Sequence, residues 1–297
     1  MCATCGCGDR SAVRVLNLSA RAHEHDHAHP HDHDHDQHPR DHDHGPGHID
    51  PNEYPHEYPH DPADGTRTIS IEQDLLAKNS SLAQSNRLWL ADRGITSVNL
   101  MSSPGSGKTT LLERTIRDVG VRVPVSVIEG DQETTLDAQR IRGTGARVVQ
   151  INTGAGCHLD ADMMFRGVNE LSPMGGSLVF VENVGNLVCP ALFDLGETAR
   201  AVIISVTEGH DKPLKYPHMF AAADVVVVNK MDLLPYVDFD VDRCRANARA
   251  VNPDVGVLTV SATTGSGLAL WYHWLAEIEA RPPGAPGIPL TAGRPQV

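Results

Sequence analysis

The chain lacks any apolar run long enough to cross a bilayer, and no hydrophobic stretch of the secretory kind stands near its first residues. Both point to a cytoplasmic protein that does not enter the membrane. It is also short of basic residues, with 25 Lys and Arg against 38 Asp and Glu. No basic stripe exists to release counterions from a phosphate backbone, so nucleic acid is an unsuitable partner. Cysteines number only six, Cys2, Cys5, Cys7, Cys157, Cys189 and Cys244. In a reducing compartment these are metal ligands, nucleophiles or packing residues rather than a disulfide framework.

The charge is concentrated. Residues 1–65 hold thirteen of the 17 His and carry nine of the 13 net negative charges, leaving a nearly balanced globular remainder. The chain opens with a CxxCxC cluster (Cys2, Cys5, Cys7), three thiolates that can reach a common soft or borderline metal with a fourth ligand from elsewhere. From His23 to His60 His and Asp alternate among repeated prolines. Such a tract cannot bury a core and offers many imidazoles to nickel, copper or zinc. The expected division is therefore a disordered metal-binding region over 1–68, a folded domain over 69–281, and a flexible Pro- and Gly-rich tail over 282–297.

Ser70 with Gln73 forms a capping-box signature, and Leu75/Leu76, Leu82/Ala83 and Trp89/Leu90 recur every seven residues. They predict a helix with one apolar packing face, ended by Gly94. Beyond it, apolar β-branched runs alternate with amphipathic ones. Strands are expected over 95–101, 124–128, 147–151, 178–181, 201–206, 225–228 and 257–260, with helices over 134–142, 162–169 and 268–278. This order predicts an α/β fold of the P-loop NTPase kind, a mostly parallel sheet flanked by helices. In such sheets ligands sit beyond the carboxyl ends of the strands.

The stretch after the first of these strands, Ser102-Ser103-Pro104-Gly105-Ser106-Gly107-Lys108-Thr109-Thr110, fits GxxxxGK[ST] at every fixed position but the first. Backbone N–H groups of Gly105, Ser106 and Gly107 would cradle phosphates, Lys108 would reach the terminal ones, and Thr109 would hold Mg²⁺. Asp131, in Glu129-Gly130-Asp131, stands where a switch carboxylate would face the γ-phosphate. Glu182-Asn183-Val184-Gly185 is a Glu variant of the DxxG element, with Glu182 on the Mg²⁺ shell and the Gly185 N–H sensing phosphate. Asn229-Lys230-Met231-Asp232 is an NKxD element whose Asp232 carboxylate accepts two guanine N–H groups that adenine does not offer. Ser261 and Ala262 would close over the base. The reading is a GTPase with Lys108, Asp131 and Glu182 in the catalytic roles. A P-loop kinase is disfavoured by the guanine element and by the lack of a base for an acceptor substrate. Asn186 stands where Ras-like proteins place their water-orienting Gln, and no arginine finger is visible, so intrinsic hydrolysis should be slow. Cys157, His158 and Cys189 lie on segments adjoining the phosphate site, and a second copy of the chain could complete a metal site there. Cys244, in a polar helical stretch, is expected to be structural.

Taken together, the terminal CxxCGC, the His-rich segment, SSPGSGKTT from Ser102, EGDQETTLDAQR from Glu129, GAGCHLDADM from Gly154, ENVGNLVCP from Glu182, TEGHDKPLKYPHMF from Thr207 and NKMDLLP from Asn229 closely resemble the nickel-incorporation GTPases of hydrogenase maturation, the HypB family. Ser102 agrees with that family's loop. The resemblance implies GTP-driven homodimerisation, nickel at Cys2, Cys5 and Cys7, and a second nickel or zinc site at Cys157, His158 and Cys189. It also implies delivery of Ni²⁺ to the large subunit of [NiFe] hydrogenase alongside a small zinc-binding HypA-like partner. The related urease maturation GTPases share the Cys-His pair but lack the CxxCGC cluster. A nickel storage or detoxification protein, in which the His tract is the function, is the rival from another class.

Overall fold

The computed structural model describes residues 13–18, 62–132, 134–154 and 156–281. Cys2, Cys5, Cys7 and the His-rich tract lie outside them. Among the described residues the chain forms eight strands and eight α-helices. The strands are β1 (Arg14–Asn17), β2 (Thr96–Ser102), β3 (Val125–Asp131), β4 (Arg147–Asn152), β5 (Leu178–Gly185), β6 (Ala199–Ser205), β7 (Val225–Asn229) and β8 (Gly256–Thr259). The helices are α1 (Pro62–Asp92), α2 (Lys108–Val119), α3 (Leu136–Arg142), α4 (Ala161–Leu171), the short α5 (Lys212–Lys215) and α6 (Pro217–Ala221), α7 (Val241–Val251) and α8 (Leu268–Glu279). One sheet runs in the order β1-β4-β3-β5-β2-β6-β7-β8, parallel throughout except for β1, which pairs antiparallel with β4.

Period-two alternation along each strand divides the core between the two faces. In β5, Leu178 and Phe180 pack with Leu111, Leu112 and Ile116 of α2, Ile141 of α3 and the Trp271/Trp274 pair of α8. Val179 and Val181 face the other way, toward Leu90 of α1 and Met164, Val168 and Leu171 of α4. In β7, Val225 and Val227 join the α2–α8 side, while Val226 and Val228 pack on Met219 and Phe220 of α6 and Ala248 of α7. The Trp271 indole N–H donates to Thr115 Oγ1 at 2.9 Å, so the polar edge of this large core residue is satisfied.

Three features depart from the sequence expectation. β1 falls in the stretch read as tail: its Arg14–Asn17 register against Asn152–Val149 adds an edge strand. α1 begins at Pro62, eight residues before the expected cap at Ser70, and crosses the boundary placed at 68/69. Proline costs little in a first turn, where its missing N–H has no partner to lose. Finally, the buried face of α1 consists of Asn79, Ala83, Asn86 and Leu90, while Leu75 and Leu76 are exposed. The asparagines are buried because they have work to do on backbone groups, described below.

Candidate functional site

The sheet's carboxyl ends bring the motif residues together. Ser102 closes β2, the phosphate loop follows, and Lys108 opens α2 with Gly107 as its N-cap in the left-handed conformation (φ +90°). Glycine is required there twice over: a Cβ on Gly107 would stand 2.6 Å from Asn229 Nδ2. That close approach lets Asn229, the last residue of β7, donate to the carbonyls of Ser106 (3.0 Å) and Gly107 (3.4 Å). Lys230, itself at φ +61°, donates through Nζ to the Gly105 carbonyl at 2.6 Å. The guanine element and the phosphate loop are thus one clasped unit. Ala262 N–H donates to Asn229 Oδ1 (3.1 Å), and the Ser261 hydroxyl donates to Asp232 Oδ1 (2.6 Å), orienting the carboxylate. The Ser261 side chain thus fixes Asp232, a role beyond closing over the base. The remaining loop residue, Thr110, accepts from Arg140 Nη2 of α3 at 3.2 Å.

Glu182 is inside β5 rather than beyond it, since that strand continues to Gly185. Its Oε1 accepts from Thr109 Oγ1 at 2.6 Å and pairs with Lys108 Nζ at 3.5 Å. Lys108 Nζ also donates to the Asn183 carbonyl. Directly opposite Glu182 in the β3–β5 register stands Glu129. Both carboxyls are buried, and each has an Oε2 without a hydrogen-bond partner. Burial raises the Glu182 carboxyl above its ordinary value, an effect partly offset by Lys108 and Thr109. Glu129 is pushed up to about 9 by burial, by the neighbouring Glu182 and by Asp131. Two buried acids sharing one nearby ammonium form a site short of positive charge. Glu129 directly follows the strand expected over 124–128, but in Glu129-Gly130-Asp131 the sequence singles out Asp131 as the switch carboxylate; what marks Glu129 is its register with Glu182. Asp131 caps its own turn, accepting from Gln132 N (2.6 Å), Thr134 N (3.1 Å) and Thr134 Oγ1 (2.6 Å).

Cys157, His158 and Cys189 offer ligand atoms that all lie within 4.8 Å of one another. His158 is buried and stacks on Phe193, ring centroids 3.9 Å apart. Burial holds its imidazole below its ordinary value against the opposing charge of Asp160, which keeps it in the neutral form that ligates metals. Cys189 opens a 3₁₀ turn, Cys189–Leu192, just after β5. α1 ties the two ligand-bearing segments together. Asn79 donates to the Asp194 carbonyl (2.8 Å) and accepts from Ala161 N (2.8 Å), while Asn86 donates to the carbonyls of Ala161 (2.9 Å) and Leu195 (3.0 Å). Asn186 accepts from Val188 N at 2.8 Å within this same segment. Cys244, by contrast, is fully buried in the α6–α7 core with its thiol pushed up to about 11, an inert packing residue.

The family model described as CobW/HypB/UreG, nucleotide-binding domain, matches residues 96–259. The hydrogenase maturation factor HypB of Rhizobium leguminosarum bv. viciae is 58% identical over 215 residues, 72% of each chain. The HypB of Escherichia coli K12 is 54% identical over 209 residues, covering 70% of this chain and 72% of that one. Among solved structures, HypB from Archaeoglobus fulgidus superposes with a TM-score of 0.64 at 41% identity, over 68% of this chain and 99% of that one. HypB from Helicobacter pylori, solved in complex with nickel, gives 0.64 at 36% identity, over 68% and 95%. A GxxxxGK[ST]-like loop clasped to an NKxD element on a parallel sheet, with relatives this similar over most of the folded chain, means that the protein belongs to the HypB hydrogenase maturation factors, GTPases of the CobW/HypB/UreG nucleotide-binding family.

Proposed function

We propose that this GTPase is a nickel metallochaperone that binds Ni²⁺ and delivers it to the large subunit of [NiFe] hydrogenase, with GTP-dependent dimerisation coupling hydrolysis to metal release. The observation that carries the reading is the three-ligand cluster of Cys157, His158 and Cys189 standing at the end of the strand whose Glu182 is bonded to Thr109 of the phosphate loop. In this reading Gly105, Ser106, Gly107, Lys108 and Thr110 hold phosphates, and Asn229, Lys230, Asp232, Ser261 and Ala262 form the guanine side. Asp131, Glu182 and Gly185 respond to the γ-phosphate. Mg²⁺ suits the Thr109 hydroxyl and the buried Glu182 and Glu129 carboxyls, whose unpartnered Oε2 atoms need a cation. When bound it would neutralise charge on the terminal phosphate oxygens. Lys108 would bind the same oxygens, and both acids are buried away from water.

Two thiolates and one imidazole are a borderline-soft set suited to Ni²⁺, and to Zn²⁺ as its competitor. Three ligands do not close a site, so a second copy of the chain, or a HypA-like zinc and nickel protein at the same face, supplies the rest. Cys2, Cys5 and Cys7 with the His tract gather the ion before transfer. A metal-binding region ahead of α1, a GTPase domain that takes in β1 and runs from α1 to residue 281, and a tail over 282–297 belong to the same proposal. It is tested by the molar mass of the full chain with GDP and with a non-hydrolysable GTP analogue, each with and without one equivalent of Ni²⁺. A dimer formed with the GTP analogue and favoured by nickel is expected; a monomer under all four conditions would overturn the coupling.

A further inference from the structure

The segment carrying Cys157 and His158 is bonded to both sides of the phosphate site, and the two sides meet at the next residue. Leu159 is fully buried. Its side chain lies on the backbone of Gly130, so closely that a Cβ at that glycine would stand 2.8 to 2.9 Å from three Leu159 carbons. Its N–H donates to Asn183 Oδ1 at 3.2 Å. Asn183, also fully buried, offers its carbonyl to Lys108. The orientation of its amide is fixed from both ends. Oδ1 accepts from Leu159 N and from Val184 N (3.0 Å), while Nδ2 donates to Asn99 Oδ1 (3.3 Å), whose own amide donates to Glu197 Oε1 (3.2 Å). Further bonds link the same segments, Thr153 N to the Asp131 carbonyl (2.9 Å) and Gln132 Nε2 to the Gly156 carbonyl (3.3 Å).

We propose that Leu159 and Asn183 are positioning residues that convert movement of Lys108 and of the Gly130 strand end into a change of nickel affinity at Cys157, His158 and Cys189. This rests on the nickel and GTP reading above and names the residues through which it acts. The Lys108 ammonium is the group that a terminal phosphate draws, so the bond it makes to the Asn183 carbonyl competes with nucleotide. Gly130 sits between Glu129 and Asp131, the two acids beside that phosphate. The first displacement reaches Leu159 through the Asn183 amide and the second reaches it directly, and Leu159 is covalently next to a ligand. A tightly packed interior has discrete arrangements rather than slack, so the displacement is not absorbed on the way.

The test uses the full-length chain carrying Cys2→Ser, Cys5→Ser and Cys7→Ser. Of the three cysteines left, Cys244 is buried, so thiolate-to-nickel charge-transfer absorption reports Cys157 and Cys189 and is blind to the His tract. Ni²⁺ is titrated with GDP and with a non-hydrolysable GTP analogue. The two affinities should differ by about fivefold or more in this parent. Leu159→Ala and Asn183→Ser should bring the ratio within about twofold while still binding nickel, whereas volume-conserving Leu159→Met should retain it. Should Leu159→Ala fail to fold, Asn183→Ser and Gly130→Ala, which drives a methyl into Leu159, decide the matter. Variants that keep the parent's ratio, or that lose nickel equally with both nucleotides, would overturn the positioning role and leave the metallochaperone reading intact. A parent with no difference between nucleotides would overturn that reading and this inference together.

Discussion

Replacing Glu129 with Gln should change how the protein's stability responds to pH. The carboxyl is buried, stands opposite Glu182, and is pushed up to about 9 from an ordinary 4.5. The folded chain therefore holds a proton that the unfolded chain releases above about pH 4.5. Its contribution is complete below that pH and is lost progressively as pH rises to about 9. Between pH 6 and pH 8, well inside this window, one proton at about 1.36 kcal/mol per pH unit amounts to about 3 kcal/mol. For a domain of this size that is a fall in Tm of roughly 5–10 °C. Glu182 titrates in the same direction, and His158 opposes both below about pH 6.5 because its neutral form is the one the fold favours. Glu129→Gln keeps the neutral shape and removes one proton from the carboxyl pair, so the difference between parent and variant reports one titration of the coupled pair. Calorimetric melting of both proteins at pH 6, 7 and 8, without nucleotide or metal, gives that difference directly. The variant should lose about 1.36 kcal/mol per pH unit of the slope, and Mg²⁺ with GDP should flatten the parent's curve by replacing the proton with a cation. Parallel melting curves for parent and variant would refute the argument that Glu129 is protonated at neutral pH.

Three further outcomes follow from the geometry. Gly107→Ala strains a left-handed residue and drives Cβ into Asn229, so GTP affinity measured with a fluorescent analogue should fall at least about tenfold with the fold retained. Asn86→Ala leaves the buried Leu195 carbonyl without its donor and takes a second donor from the Ala161 carbonyl at the start of α4, and should cost roughly 1–3 kcal/mol in denaturant unfolding. Cys157→Ala should weaken nickel binding by the folded domain while leaving GTP affinity within about twofold; loss of both would contradict their separation.

What the sequence makes legible and what it hides divide along physical lines. β7 is four valines between a bend and a motif, and a run of that kind has few alternatives to a buried parallel strand. The phosphate loop and the guanine element are equally plain, because their chemistry depends on residue types at fixed spacing. Glu129 is different. Within Val125–Asp131 it is one polar residue in a strand, and its meaning comes from the residue across the ladder, 53 positions away in the chain. Asn79 and Asn86 break the apolar period of α1, so the sequence shifts the helix face toward Leu75 and Leu76, whereas the fold uses the amides to bond backbone that arrives from distant segments. Leu159 carries no signal of any kind: a leucine after Cys-His is ordinary, and only packing against Gly130 distinguishes it. β1 is four residues of a short apolar-rich stretch, Val13 to Leu18, standing between the cysteine cluster and the His-rich tract, so it reads as tail until the edge of β4 is known.

That edge strand sets a limit on distance. Because β1 is antiparallel to β4, Arg14 lies across from Asn152, at the end of β4 from which the Cys157 segment departs. Val13 is held as well, its carbonyl accepting from Arg166 at 3.3 Å. Cys7 is six residues from Val13, and six residues of chain span at most about 22 Å. An ion carried at Cys7, as proposed above, would therefore be leashed to the rim that bears Cys157 and His158, and its local concentration there would be set by chain length and not by how much metal is free in solution.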